Sequence, residues 1–268
     1  MSFRDRFQNL KETVGQWTDS TGGGSLDRKI ERNLAEMEGG TEIERTAAIK
    51  ALVIQAQTDD KWADPIITSF LRVLPGQLAS PQEAIIDGLL ELRKVKVSRE
   101  EEIFESIQET LDSPYPSVRS KVVDIWTRFS LKSDAKASDT IAVLFEMLSD
   151  DDKDVRYQTQ ESLSKILHTV PKVALPELKN AIGDDDWRVT YHSIVLLTEF
   201  AKKYPVPSVA LAPEVIEAFN SGERLKERAA DCIGMLGLAN PEAVKPAVPG
   251  LIKGLESKSS ELRKACAT

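Results

Sequence analysis

A short mark recurs along this chain about every 37 residues, and most of its copies are followed by the same spacing of apolar residues. The clearest copies are Val118-Arg119, Val155-Arg156, Trp187-Arg188, Leu225-Lys226 and Leu262-Arg263, whose second members stand 37, 32, 38 and 37 residues apart. Carried backwards with steps of 37 and 38, the same ruler reaches Pro81-Gln82 and Ile43-Glu44. A period of this length predicts one supersecondary unit stacked on copies of itself, because a single unit cannot bury its own apolar face.

Counting the marked residue as zero, apolar or small residues fall at −1, +3, +7 and +10, as in Val118, Val122, Trp126 and Phe129, or Leu225, Ala229, Ile233 and Leu236. The copy at Val155, Thr159, Leu163 and Ile166 has only the threonine out of character. Steps of four, four and three trace one stripe along an α-helix. Upstream, a shorter helix is expected to open on proline, at Leu175-Pro176, Ala212-Pro213 and Val248-Pro249, since the first helical turn has no use for the missing N–H. Between the two helices lie acidic turns, Asp112-Ser113-Pro114, Asp150-Asp151-Asp152-Lys153-Asp154 and Asp184-Asp185-Asp186. Aspartates there accept the free N–H groups of the second helix and suit its positive dipole end.

The proline-led first helix, the Asp-rich turn and the Val-Arg pair opening the second helix resemble the HEAT-repeat family, including its PBS-lyase-type repeats. The resemblance covers roughly residues 25 to 268 and is strongest from 103 onward. It implies an all-α fold: a right-handed α-solenoid of about seven helical hairpins, with the second helices lining a concave face. It also implies that the marked arginines Arg119, Arg156, Arg188 and Arg263 are structural, tying neighbouring turns together through aspartate. Function does not follow from fold alone.

Composition agrees with a helical array, with 6% aromatic and 29% charged residues. Acids outnumber bases 43 to 35, and no basic cluster exceeds pairs such as Lys202-Lys203. That balance argues against a phosphate-tracking nucleic-acid surface. No run of 18 apolar residues and no apolar signal core occurs, so neither a membrane span nor a secretory leader is expected. Two cysteines, Cys232 and Cys266, are read as packed thiols in a reducing cytoplasm.

Catalytic and metal patterns are sparse. The two histidines, His168 and His192, have no ligand partner at helical spacing, and the repeated His-Glu pairs of HEAT-type di-iron hydroxylases are missing. Asp150, Asp152, Asp154 and Glu161 imitate calcium-loop spacing, but Val155 stands where that loop needs glycine. Gly22-Gly23-Gly24 leads to no Walker lysine and reads as linker. No cofactor, metal or catalytic residue is assigned.

Two segments depart from plain scaffold. At the start, Phe3, Phe7, Leu10, Val14 and Trp17 form an apolar seam at helical spacing. Residues 1–18 are therefore expected to be an amphipathic helix, 19–25 a flexible Gly/Ser joint, and 26–268 the array. Such a helix could cap the first repeat, enter a partner's groove, or lie on a membrane surface. In the copy marked Trp187-Arg188, positions +1, +5, +8 and +12 are Val189, Ser193, Leu196 and Phe200, where the preceding copy has Tyr157, Glu161, Ser164 and His168. On that register Val189, Leu196 and Phe200 form part of a peptide-binding groove. The last copy has only five residues after Arg263, short of its +7 and +10 positions, which points to an array continuing beyond Thr268.

The expected function is a non-enzymatic cytoplasmic scaffold that binds proteins or peptides on the second-helix face. A peripheral membrane adaptor using residues 1–17 comes next, then a HEAT-scaffold enzyme or nucleic-acid-binding subunit of condensin or DNA-repair type.

Overall fold

A computed structural model describes residues 25–131 and 134–267, and every regular element among them is helical. The helices are α1 (Ser25–Gly39), α2 (Glu42–Thr58), α3 (Ala63–Val73), α4 (Ala79–Leu92), α5 (Glu100–Glu109), α6 (Pro116–Ser130), α7 (Asp134–Glu146) and α8 (Lys153–Thr169). They continue as α9 (Pro171–Ile182), α10 (Trp187–Lys203), α11 (Pro205–Ser208), α12 (Ala212–Ser221), α13 (Glu223–Ala239), α14 (Pro241–Val244), α15 (Val248–Gly254) and α16 (Ser260–Ala267). All seven marks lie in the opening turn of a second helix: α2, α4, α6, α8, α10, α13 and α16. The hairpin array is therefore an α-solenoid. The expected helix over 1–18, with its Phe3, Phe7, Leu10, Val14 and Trp17 seam, lies outside the described residues, as does the joint apart from Ser25, which opens α1.

Two compact units divide the chain between Val122 and Val123. In the first, α2 packs on α1, α3 and α4, around Ile30, Leu34, Ile49, Leu52, Ile66, Phe70, Ile85 and Leu89. Gly88 allows that approach, since a Cβ there would sit 2.7 Å from Val53 Cγ2 and 2.8 Å from Phe70 Cε2. Within the second unit, first helices stack on first helices (α7 on α9, α9 on α12) and second on second (α8, α10, α13, α16). Each copy thus completes its neighbour's core, which is how a solenoid stays stable without a central core.

In several copies an arginine closes the turn between the two helices. Arg119 donates to the Ser113 carbonyl at 2.6 Å, Arg263 to that of Ser257 at 2.6 Å, and Arg156 to those of Asp150 and Asp151. These arginines hold the backbone carbonyls of their own turn, and the Arg156 charge also acts on the Asp186 carboxyl of the next copy, as the resemblance implied. Arg188 does make the expected bridge, to Asp151 Oδ1 at 3.0 Å, 37 residues away. The acidic turns act as helix caps: Asp152 accepts the N–H groups of Asp154 and Val155, and Asp186 that of Arg188.

Turn closure also corrects the register twice. In the first copy Arg45, not Glu44, reaches back to the turn, donating to the Gly40 carbonyl at 2.7 Å. Counted from Arg45, positions +3, +7 and +10 are the buried Ala48, Leu52 and Gln55, while Ile43 is exposed. In the fifth copy Thr190 Oγ1 takes the place of the guanidinium, donating to the Asp184 carbonyl at 3.0 Å. Counted from Thr190, the stripe is Val189, Ser193, Leu197 and Phe200, all buried, while Trp187 at the supposed −1 position is 44% exposed. With the two corrections the second members stand at 45, 82, 119, 156, 190, 226 and 263.

One helix start differs as well. Pro213 and Pro249 open α12 and α15 as expected, but Pro176 lies inside α9, which starts five residues earlier at Pro171. Pro171 occupies the N-terminal position where proline costs no hydrogen bond. The later copies also start on a proline (Pro205, Pro241), but there a short 3₁₀ segment separates it from α12 and α15.

Candidate partner-binding surface

Correcting the register of α10 changes which of its residues face outward. Val189, Leu196 and Phe200 are 3%, 1% and 1% exposed. They are part of the packing within the second unit, where the Phe200 ring stacks on His168 and lies 4.7 Å from the ring of Tyr204. Their outward counterparts, one, five, eight and twelve residues past Thr190, are Tyr191, Val195, Thr198 and Lys202, and none of these is buried.

Aromatic rings and guanidinium groups meet along this outward face. Arg224 of α13 lies over the Trp187 indole, 4.7 Å from its centroid. One turn on, Arg228 donates from Nε to the Tyr191 hydroxyl at 3.2 Å. From α8, Tyr157, 61% exposed, sets its ring edge-to-face with His192 at 6.1 Å, and His192 meets Tyr191 in the same way at 5.3 Å. The local cause is the repeat: Tyr157 and Tyr191 both follow the marked residue, so stacking second helices places them side by side. Corresponding positions of the first unit carry polar rungs instead, Ser117 to Glu83 at 2.6 Å and Lys121 to Asp87 at 2.8 Å.

His192 holds this cluster together from beneath. Its Nδ1 lies 2.6 Å from Gln160 Oε1, so the proton belongs on Nδ1. Burial, with the Arg156 charge second, pushes its pKa down to about 4. An unfolded histidine titrates near 6.5, so between these values the unfolded chain binds more protons and stability falls as the pH is lowered. Acidification from pH 7 to pH 4 is therefore expected to remove about 2 kcal/mol through His192 alone, allowing for water at the ring edge. Denaturant titration of His192→Asn against the wild-type chain checks this. The stability difference should change across that interval, and parallel pH curves would exclude the assignment.

Other candidate chemistry is absorbed locally. Asp150 accepts the Asp152 N–H at 2.8 Å and Asp152 caps α8, so the calcium-like run serves backbone groups. Arg188 holds the Asp186 carboxyl below the usual carboxylate range. Cys232 and Cys266 are free thiols, the first pushed up to about 12 by burial. Among the described residues no cluster of His, Cys, Asp or Glu is placed to hold a metal, and no helix is long and apolar enough to cross a membrane.

Stacked helical hairpins closed by an arginine at the inner turn define a class, the helical-repeat solenoids. Residues 104–202 match the sequence model of the family described as HEAT repeats. This stretch is accordingly a run of HEAT repeats, and the fold of the chain is the HEAT-type solenoid. Solved structures agree at the level of fold. Kap121p bound to Nup53p is 14% identical, with a TM-score of 0.63 over 100% of this chain and 33% of that one. Kap121p alone gives 15% identity and a TM-score of 0.62 over 98% and 31%. Kap95p with RanGDP gives 16% and 0.60 over 92% and 35%. The chain spans about a third of the length of each of these. No curated protein sequence matches it significantly.

Proposed function

We propose that this chain is a non-enzymatic protein-binding scaffold, and that it engages its partner through the aromatic and guanidinium face of α8, α10 and α13. The observation that carries the reading is the cluster of exposed Trp187, Tyr157 and Arg224 with half-buried Tyr191 and Arg228. Trp, Tyr and Arg are the residue types that dominate binding energy at protein interfaces, because each combines a large apolar area with a polar handle. Structures of the same fold are seen with protein partners, Kap121p with Nup53p and Kap95p with RanGDP. Two free thiols suit action in a reducing cytoplasm.

The test compares proteins retained by the wild-type chain with those retained by Trp187→Ala/Arg224→Ala and by Tyr157→Ala. A partner using this face should lose affinity by at least about 30-fold with the double variant, which corresponds to about 2 kcal/mol or more. Helix content should not change, since these side chains lie outside the core. Undiminished retention by both variants would remove the face from the account.

A further inference from the structure

The basic side chains on the face of α8, α10 and α13 are not equally engaged. Arg188 holds Asp186 and Asp151, Lys226 holds Glu223, and Arg156 donates to the carbonyls of its own turn. Arg228 is shared between the Tyr191 hydroxyl, Glu227 at 3.8 Å and Asp231 at 3.7 Å. Arg224 is exposed and lies over the Trp187 indole, and among the described residues no oxygen accepts from it. The repeat makes this departure specific. Arg188 and Arg224 both stand two residues before the closing position, at 190 and 226, and Asp151 and Asp185 both stand five before it, at 156 and 190. Arg188 reaches Asp151 across the copies at 3.0 Å, whereas Arg224 makes no such bridge to Asp185. A ring face attracts the charge but gives the guanidinium N–H donors no acceptor oxygen.

We propose that Arg224 receives a carboxylate, the Asp or Glu side chain of an extended segment of the protein partner; this rests on the face of α8, α10 and α13 being where that partner docks. Two rungs lie one helical turn apart on this face, Trp187 with Arg224 and Tyr191 with Arg228, a rise of about 6 Å. The first offers an unpaired guanidinium beside an indole that is 44% exposed. Its planar fork matches a carboxylate through two parallel N–H bonds, and a basic residue brought to the same rung is repelled by it. The second rung has its charge already met by Glu227 and Asp231. It therefore disfavours a further carboxylate and leaves the Tyr191 ring for an apolar or aromatic side chain. In an extended chain, residues i and i+2 lie on one side, about 6.6 Å apart. The docking segment thus carries an acidic residue two positions from an aromatic or large aliphatic one.

Display selection of random peptides on the immobilised full chain tests this, followed by affinities of the selected peptides for wild type, Trp187→Ala, Arg224→Gln and Asp185→Asn. All three altered positions are exposed, so the array stays folded. Peptides weakened at least about tenfold by Trp187→Ala report the face. Among them, the acidic residue two positions from an aromatic or large aliphatic one is expected well above its frequency in the library. Arg224→Gln should weaken these peptides at least about tenfold, and replacing the peptide's acid by its amide should cost the same, with no further loss when the two changes are combined. Face binders that lack the acid, or that keep their affinity for Arg224→Gln, overturn the carboxylate and leave the face standing. A selection with no peptide sensitive to Trp187→Ala overturns both. A gain of about tenfold or more with Asp185→Asn would give Arg224 an internal partner and likewise overturn the proposal.

Discussion

Phe200→Ala is expected to lower the stability of the second unit by about 3–5 kcal/mol, the range for removing a fully buried aromatic side chain. Phe200 is 1% exposed, and its ring is enclosed by those of His168 and Tyr204. Truncation leaves a cavity that the stacked helices α8 and α10 cannot close without moving their own turns. Phe200→Asp should go further, placing a carboxylate where no cation can follow, and should abolish the cooperative transition of these copies. Hydrogen exchange is the appropriate readout, because solenoid copies are coupled mainly to their neighbours and the damage should centre on α8 to α13. A groove residue would behave in the opposite way, with partner capture lost and protection of α8 to α13 retained.

Arg156→Ala is the second large effect, expected at about 2–3 kcal/mol. Its guanidinium donates to the carbonyls of Asp150 and Asp151 in the turn that leads into α8, and hydrogen bonds from a charged donor are the stronger kind. Arg156→Lys should recover little, because a single ammonium cannot fork between two carbonyls in the same way. By contrast Lys226→Ala, at the equivalent position of the sixth copy, removes only an exposed contact with Glu223 and should cost less than about 1 kcal/mol. Denaturant unfolding of the three variants checks the order, and equal losses at 156 and 226 would refute turn closure as the role of the mark.

Much of the architecture was legible because the repeat states it several times. Val155, Thr159, Leu163 and Ile166 form a buried stripe as their spacing requires, and even the weak Thr159 is satisfied by its own helix through the Val155 carbonyl. The fifth copy misled because its marked position carries threonine, while Arg188, two residues earlier, imitates the missing arginine. A better ruler was present in the acidic turn. Aligning Asp150-Asp151-Asp152-Lys153-Asp154-Val155-Arg156 with Asp184-Asp185-Asp186-Trp187-Arg188-Val189-Thr190 gives the register that the structure shows. With that alignment Tyr191 falls opposite Tyr157, and the aromatic pair becomes readable. The guanidinium partners were beyond reach, because which arginine meets which ring depends on how two helices stack. Pro176 hid for a related reason: a proline is permitted at N1 and tolerated a turn later, so only the fold chooses between them.

The repeat also separates two kinds of outward position. Rungs that pair charge with charge, such as Lys121 with Asp87, satisfy themselves and leave little for a partner. Rungs that pair a ring with a guanidinium keep apolar area exposed, which a partner can bury. That difference, and not the fold, singles out α8, α10 and α13.

Site-specific photo-crosslinking addresses this claim most directly. A benzophenone side chain is placed in turn at Tyr157, at Tyr191 and, as a control, at Ile252 on the first-helix side of the last hairpin. The account predicts that the partner retained by the wild-type chain is trapped from Tyr157 and Tyr191 and not from Ile252. Trapping from Ile252, with none from either tyrosine position, would contradict it.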